Sequence, residues 1–382
     1  MRTERDGADV AMWTVDDAAL ERIAIGAGIL GTGGGGSPYL GRLMASRLLA
    51  EGATITVVPP DAVPDDALVV SVGGMGSPTV SIERLRRGDE PLVALRALER
   101  HLGRRCTHLV PGEIGGSNAT MPMVVAAQTG LPVIDADGMG RAFPELQMET
   151  FSILGVRPTP AAIADPRGHV ALFDHIGDAQ TLERYARAVT IQMGGSTGYA
   201  FPAMTGADLK RTAIPRTLSL AAVLAARAAH ADPIAALLAV AGGHRLFAGK
   251  VVDVNRRLEG GFARGELRLQ GTGDDADSML TIDFQNENLI ARTADGDVLA
   301  VVPDLICLVD AETAEPVTTE VVRYGLRVVV LGIPAPEQLR TAEALAVVGP
   351  AAFGYVDVAY VPLSGLYGGG DGSLIRHRLG GP

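Results

Sequence analysis

The chain has 382 residues, of which 47% are hydrophobic and 20% are charged, with a formal net charge of −11 at pH 7. This length is typical of two or three domains, and the apolar content suffices for a sizeable core. An acidic balance without a basic stripe argues against nucleic-acid binding. The charged N-terminus has no signal-peptide apolar run and no apolar stretch is long enough to span a bilayer, so we expect a cytoplasmic protein without membrane contact.

The cysteine and histidine pattern gives no ready-made metal motif. Cys106 and Cys307 lie far apart, neither belongs to a CxxC pair, and we expect both to be reduced and buried. The chain contains neither HExxH nor zinc-finger spacing. A zinc site would therefore have to be assembled from residues that are distant in the sequence.

A run of glycines separates two predicted helices near the N-terminus. Residues 15–30 have helical spacing of apolar residues, and Ser37, followed by proline, begins the next helix. Residues 31–36 (GTGGGG) contain no lysine for a Walker motif and follow no strand, so we expect no nucleotide. The loop is either a tight helix-to-helix turn or a close backbone approach to another ligand. We expect Gly34 to supply a positive φ there.

Three apolar strand runs follow, each leading into a glycine-containing loop. The loops are residues 73–77 (GGMGS), 111–118 (PGEIGGSN) and 135–141 (DADGMGR). Continuous apolar strands that alternate with helices predict an α/β fold with a largely parallel sheet. Ligands bind beyond the carboxyl ends of such strands, so the three loops predict a site at that edge.

The second half of the chain changes character after a helical stretch. Residues 178–244 are mostly helical in pattern, with residues 194–199 (GGSTGY) predicted as a loop, and alternating strands with turn residues follow. We therefore predict three segments. They are an N-terminal α/β domain with Gly-rich loops (1–177), a helical segment packing on it (178–244) and a β-rich C-terminal α/β domain (245–382).

The second glycine loop carries the first candidate site residues. Glu113 lies just past a strand end, where a carboxylate can meet a ligand, and Asn118 offers both a donor and an acceptor. The alternative is that both side chains cap the next helix. We favour a catalytic role for Glu113. The candidate substrate-binding residues of the glycine loops are Gly33, Gly34, Gly74, Gly115, Gly116 and Asn118.

The third loop adds a pair of aspartates. On an extended strand Asp135 and Asp137 would lie on one face, roughly 6–7 Å apart, which suits acid–base work or metal binding. Alternatively Asp137 shapes the Asp-Gly turn and only Asp135 faces a site. His175 is a candidate third metal ligand. Arg141 and Glu145 either pair with each other or bind substrate, with Arg141 holding a carboxylate.

These motifs together resemble the S-methyl thiohydantoin desulfurase family, which is linked to hydantoin utilisation. The resemblance is carried in the first half by residues 30–38 (LGTGGGGSP), 111–118 (PGEIGGSN) and 135–145 (DADGMGRAFPE). It continues through residues 249–254 (GKVVDV), 283–288 (DFQNEN), 302–306 (VPDLI) and 323–328 (RYGLRV). It implies an N-terminal α/β domain, a β-rich C-terminal domain, and hydrolytic release of a sulfur leaving group from a hydantoin-like ring. It supplies no list of catalytic residues.

Hydrolysis of such a ring needs a base for water, stabilisation of the ring and positioning. Two routes stay open: Glu113 or Asp135 is the base, or Asp135, Asp137 and His175 hold a divalent metal such as zinc that activates the water. Thiolate is a fair leaving group, so a strong acid is not required. The rival hypothesis is a non-catalytic, small-molecule-binding subunit of a hydantoinase- or oxoprolinase-type partner. A homo-oligomer is compatible with either.

Overall fold

The computed structural model describes residues 12–76, 80, 87–225 and 230–366. Ser77 of the first predicted loop lies outside these residues. The helices are α1 (Asp17–Leu30), α2 (Pro38–Ala50), α3 (Glu90–Leu102), α4 (Ser117–Thr129), α5 (Thr150–Ile153), α6 (Ala179–Gln192), α7 (Gly206–Thr212), α8 (Thr217–Leu224), α9 (Pro233–Ala241), α10 (Ala342–Val348) and α11 (Leu363–Leu366). None of the described helices has the length and apolar content to cross a bilayer.

The N-terminal half is built on a mixed sheet. Its strands are β1 (Trp13–Val15), β2 (Ile55–Val58), β3 (Leu68–Gly76), β4 (His108–Val110), β5 (Val133–Ile134), β7 (Ala161–Ala164), β8 (Val170–Phe173) and β9 (Ser196–Thr205), and β6 (Ala136–Asp137) pairs separately with β10 (Ile214–Pro215). The strand order is β1-β2-β5-β4-β3-β9-β7-β8. The pairs β2–β5, β5–β4 and β4–β3 are parallel, and antiparallel strands extend both edges. The α/β prediction is confirmed, and the parallel strands form the middle of the sheet.

The C-terminal half is a β-rich unit, as predicted. Its strands are β11 (His244–Glu259), β12 (Phe262–Gly271), β13 (Met279–Gln285), β14 (Glu287–Thr293), β15 (Val298–Val301), β16 (Leu305–Asp310) and β17 (Arg327–Ile333). They form an antiparallel sheet in the order β15-β14-β13-β12-β11-β17-β16. Buried residues of β16 and β17 share one apolar core with α1 and β3, so the two halves pack together. Cys106 and Cys307 are both buried and free, as expected.

Helix α1 shows how the sequence sets this packing. Asp16 caps it by accepting a hydrogen bond from the amide of Ala19 at 2.7 Å. Leu20 and Ile23 are fully buried on one face. A Cβ on Gly26 would lie 1.9 Å from the carbonyl oxygen of Ala221 in α8, so glycine allows the two helices to approach closely.

Two stretches predicted as loops are strands that pair with each other. Residues 73–76 end β3 and lie antiparallel to residues 196–199 of β9, which interrupts the segment predicted to be helical. Their small residues reflect close packing: a Cβ on Gly198 would lie 2.3 Å from the nitrogen of Pro91, and one on Gly73 would lie 2.7 Å from the ring of Tyr199. Glycine inside a strand marks such close approach as well as turns, which misled the prediction.

Candidate functional site

A pocket lies where the glycine loops of the N-terminal half meet the β13–β14 turn of the C-terminal half. It is lined by residues of all four predicted glycine loops, together with Glu149, Tyr199 and Glu287. Its cavity of about 70 Å³ has room for roughly five water molecules.

Glu113 lines the pocket and is held in one orientation. Its Oε1 accepts a hydrogen bond from Nδ2 of Asn118 at 2.6 Å, and its Oε2 accepts one from the amide of Phe143 at 3.2 Å. Asn118 also holds the peptide of Gly74, accepting from its amide at 2.7 Å and donating to its carbonyl at 3.2 Å. Both donor hydrogens of Asn118 are therefore used within the protein. Asn118, predicted to bind substrate, lines the pocket, and its amide positions Glu113 and Gly74.

A second carboxyl group, that of Glu149, was not predicted from the sequence. Its side chain is 1% exposed and lines the pocket. A Cβ on Gly112 would lie 2.4 Å from Oη of Tyr199 and 2.5 Å from Oε1 of Glu149. Gly112 thus leaves room for the tyrosine hydroxyl and for this carboxyl beside the backbone of the second loop.

A third carboxyl group comes from the C-terminal half. Glu287 begins β14 directly after Asn286, whose φ of 59° lies in the left-handed region that asparagine tolerates. The amide of Asn286 donates to the carbonyl of Ala263 at 2.7 Å, and its Oδ1 accepts from the amide of Ala263 at 2.9 Å. This turn places Glu287 in the pocket, 2% exposed, with Oε2 buried and without a hydrogen-bond partner among the described residues.

The backbone of the glycine run at residues 31–36 supports this turn. The amide of Asn288 donates to the carbonyl of Thr32 at 2.8 Å, and the amide of Thr319 donates to the carbonyl of Gly33 at 2.8 Å. A Cβ on Gly34 would lie 2.0 Å from Oε1 of Glu287. Gly34 is not among the residues with positive φ, so the expectation that it supplies one was wrong, and its role is to leave room for the glutamate.

The same run also packs against the second loop. A Cβ on Gly35 would lie 2.4 Å from the carbonyl oxygen of Gly115, and one on Gly116 would lie 2.3 Å from the carbonyl oxygen of Gly36. Gly33, Gly34, Gly115 and Gly116 are therefore committed to contacts within the protein and lie outside the pocket lining. Their predicted substrate-binding role is replaced by a role in close backbone packing.

Burial dominates the electrostatics of the pocket. It raises the pKa of the Glu113 carboxyl to about 8, against the opposing hydrogen bonds from Asn118 and Phe143. Burial also raises the pKa of Glu149 well above its ordinary value, and the nearby Glu113 carboxylate raises it further. The pKa of Glu287 is raised in the same way, by burial first and then by Glu113, while Arg141 opposes the shift. Burial therefore favours the neutral form of all three carboxyl groups.

Arg141 does not bind a ligand carboxylate, contrary to prediction. It is fully buried, and its Nε donates to the carbonyl of Ala142 at 3.0 Å. The other guanidinium donors reach the carbonyls of Pro303, Asp304 and Asn288 and the hydroxyl of Thr32, at 2.9–3.1 Å. All five N–H groups are thus used. Arg141 joins the glycine run to the C-terminal half, and no donor is left for a substrate.

The two aspartates of the third loop face different partners, because the chain bends between β5 and β6. Both carboxyl oxygens of Asp135 accept hydrogen bonds from Ser219, one from its amide at 3.0 Å and one from its hydroxyl, which anchors the first turn of α8.

Oδ2 of Asp137 accepts hydrogen bonds from the amides of Ile114, Met139 and Gly140 at 2.7–3.0 Å. Neither residue lines the pocket. The prediction that both are catalytic is corrected: Asp135 anchors a helix, and Asp137 positions the Glu113 loop.

The predicted metal ligands are not brought together. His175 is exposed beyond the edge strand β8, whereas Asp135 and Asp137 are buried. Among the described residues, no group of three His, Cys, Asp or Glu side chains is placed to hold a metal ion. The set Asp135, Asp137 and His175 is therefore not a metal site.

Of the remaining candidates, Gly74 and Glu145 line the pocket. Glu145 is half-buried, and its Oε2 accepts a hydrogen bond from Nε2 of Gln147. The lining residue Arg187 is committed to an ion pair with Glu183 and donates to the carbonyl of Pro144 at 3.0 Å. These residues border the three buried carboxyl groups.

Fold and site together define a two-domain α/β protein with an acidic pocket between a glycine-loop domain and a β-rich domain. Residues 18–175 match the model of the S-Me-THD-like N-terminal domain, and residues 177–363 match that of the S-Me-THD-like C-terminal domain. The chain belongs to the S-methyl thiohydantoin desulfurase-like family.

Comparison with solved structures gives a neighbour of the same architecture. The chain is similar to the crystal structure of a protein from Chromobacterium violaceum, with 26% sequence identity and a TM-score of 0.75. The match covers 92% of this chain and 100% of the other. No curated protein matches the chain. The family and the fold are thereby established.

Proposed function

We propose that this protein hydrolyses the C–S bond of an S-alkyl thiohydantoin or a closely related ring and releases a thiol. The observation that carries the proposal is the Glu113 carboxyl, which is buried in the pocket and oriented by Asn118 and the Phe143 amide. Membership of the S-methyl thiohydantoin desulfurase-like family supports the choice of ring and leaving group.

The reaction consumes one water molecule. The isothiourea carbon of the ring accepts the water oxygen, the C–S bond breaks with its electron pair moving to sulfur, and the products are a hydantoin-like ring and a thiol. Glu113 in its ionised form takes the proton of the attacking water. A base with a pKa near the working pH is the most effective for such a transfer, and the pKa of about 8 for Glu113 meets that condition.

The surroundings of Glu113 support this role in two ways. Its hydrogen bonds use one lone pair of each oxygen and fix the direction of the carboxylate, which leaves further lone pairs for water. Burial raises the pKa values of the neighbouring Glu149 and Glu287 well above the ordinary range, which favours their neutral forms that can donate a hydrogen bond. The pocket thus has one base beside two hydrogen-bond donors, which suits a neutral ring with acceptor atoms.

The test is thiol release from an S-methyl thiohydantoin by the purified full chain in water enriched with oxygen-18. We expect methanethiol and a hydantoin that carries the label at the former C–S carbon. Glu113→Gln should lower the rate at least about 100-fold, and the matched control Glu343→Gln, an exposed position in α10, should not change it.

Pretreatment with a chelator completes the experiment. We expect unchanged thiol release, since the proposed base acts directly on water. Absence of release by the wild-type chain, or full activity of Glu113→Gln, would contradict the proposal. Specific binding of the ring without release would favour a binding subunit instead.

A further inference from the structure

The pocket contains a second group whose placement the proposed base does not explain. Glu287 is brought to the pocket from the opposite half of the protein by a one-residue turn at Asn286. Because residue 34 is a glycine, the carboxyl group of Glu287 can occupy the space that a side chain at position 34 would fill. Its Oε2 is buried and has no partner among the described residues. A buried carboxyl oxygen without a partner is costly, and a ligand that accepts its hydrogen bond would remove the cost.

We infer that Glu287 is a catalytic acid that protonates the departing sulfur, so that the C-terminal domain supplies the acid and the N-terminal domain the base. This inference rests on the proposed hydrolysis. A neutral carboxyl is the form that can give a proton. Burial and the nearby Glu113 carboxylate both raise the pKa of Glu287 and thereby favour that form.

Glu113 takes a proton from water as the oxygen bonds to the ring carbon, and the C=N electron pair moves to the ring nitrogen, which then receives that proton from Glu113. The C–S bond of the neutral intermediate breaks with its electron pair moving to sulfur, and sulfur takes the proton of Glu287. The hydroxyl of the intermediate loses its proton to Glu113 as the ring carbonyl forms. Proton exchange through pocket water then restores the carboxyl of Glu287 and the carboxylate of Glu113.

The leaving group provides the test, because an acidic thiol leaves without help from an acid. A matched pair of substrates carries S-ethyl and S-trifluoroethyl groups, which share one carbon skeleton, while trifluoroethanethiol is much the stronger acid. We expect Glu287→Gln to lower kcat for the S-ethyl ring about 100-fold, the lower end of what acid catalysis contributes. For the S-trifluoroethyl ring the loss should shrink to a few-fold.

The comparison uses one variant protein with two substrates, so a general folding defect would lower both rates equally. Equal losses, or no loss with either substrate, would overturn the assignment of Glu287 while the hydrolysis itself stood. Glu113→Gln is the reference, since loss of the base should lower both rates to a similar extent. If the wild-type chain released thiol from neither substrate, the proposed function and this inference would fall together.

Discussion

A Cβ on Gly34 would lie 2.0 Å from Oε1 of Glu287, so a glycine of the N-terminal half makes room for a carboxyl group of the C-terminal half. The neighbouring carbonyls of Thr32 and Gly33 accept hydrogen bonds from the amides of Asn288 and Thr319. The glycine run therefore joins the two halves at the point where they build the pocket.

Gly34→Ala tests this relationship. We expect the added methyl group to displace the flexible end of Glu287 and to lower thiol release by a factor similar to that of Glu287→Gln, with a modest loss of stability. The matched control is Gly177→Ala, since a Cβ on Gly177 meets nothing within 4 Å. Steady-state rates and thermal melts of the three variants check the prediction. Wild-type activity in Gly34→Ala would show that the carboxyl of Glu287 is not needed where it lies.

Arg141 should matter for stability rather than for substrate recognition. Arg141→Lys keeps the positive charge but removes the planar fork, leaving buried carbonyls without donors. We expect a loss of at least about 3 kcal/mol in the free energy of unfolding, measured by denaturant titration. The KM of the folded protein should be unchanged. A stable variant whose KM rose only for rings with a carboxylate side chain would restore Arg141 as a substrate ligand.

Asp135 should behave as a helix anchor. Asp135→Ala removes both hydrogen bonds to Ser219 at the start of α8, and we expect it to cost about 1–2 kcal/mol of unfolding free energy. At a temperature where the variant is folded, thiol release should stay within a few-fold of wild type. A loss comparable with that of Glu113→Gln in a folded protein would instead support catalysis by Asp135.

The buried Glu149 should make the protein less stable as the pH rises. Because its folded-state pKa lies well above its ordinary value, the folded chain holds a proton that the unfolded chain releases. This difference lowers stability from about pH 4.3, the ordinary pKa of Glu, up to the raised value. Glu149→Gln removes this contribution. The melting temperature of the variant, measured relative to that of wild type, should therefore increase between pH 5 and pH 8. The same pH dependence of the melting temperature in both proteins would contradict a raised pKa of Glu149.

Sequence reasoning located the pocket but identified only part of its lining. Glu113 could be found because it follows an apolar strand directly, and the carboxyl ends of parallel strands meet at one edge of a sheet. Glu149 and Glu287 gave no such signal. Glu149 precedes a four-residue helix, and Glu287 starts a strand of the other half, so only tertiary packing brings them to Glu113.

For Arg141 and for the two stretches predicted as loops, the sequence contained a signal, but the signal was misinterpreted. An arginine among glycines and carboxylates is typical of ligand binding, yet this one contacts carbonyls from distant parts of the chain that no local pattern reveals. Residues 73–76 and 194–199 have the small-residue composition of loops, yet most of them belong to strands β3 and β9. Two of their glycines pack closely, Gly198 against Pro91 and Gly73 against Tyr199. In both cases local chemistry was compatible with two structures, and long-range contacts decided between them.

The most direct test of the central claim is the pH dependence of kcat/KM for thiol release from an S-methyl thiohydantoin, measured in wild type and Glu113→Gln. Because the ionised carboxylate is the proposed base, the wild-type value should rise about tenfold per pH unit below pH 8 and level off above it, following the pKa of about 8 for Glu113. The variant should be slow and show no rise with this pKa. A wild-type profile that is flat through pH 8, or a variant with the same profile as wild type, would contradict the claim that Glu113 activates the water.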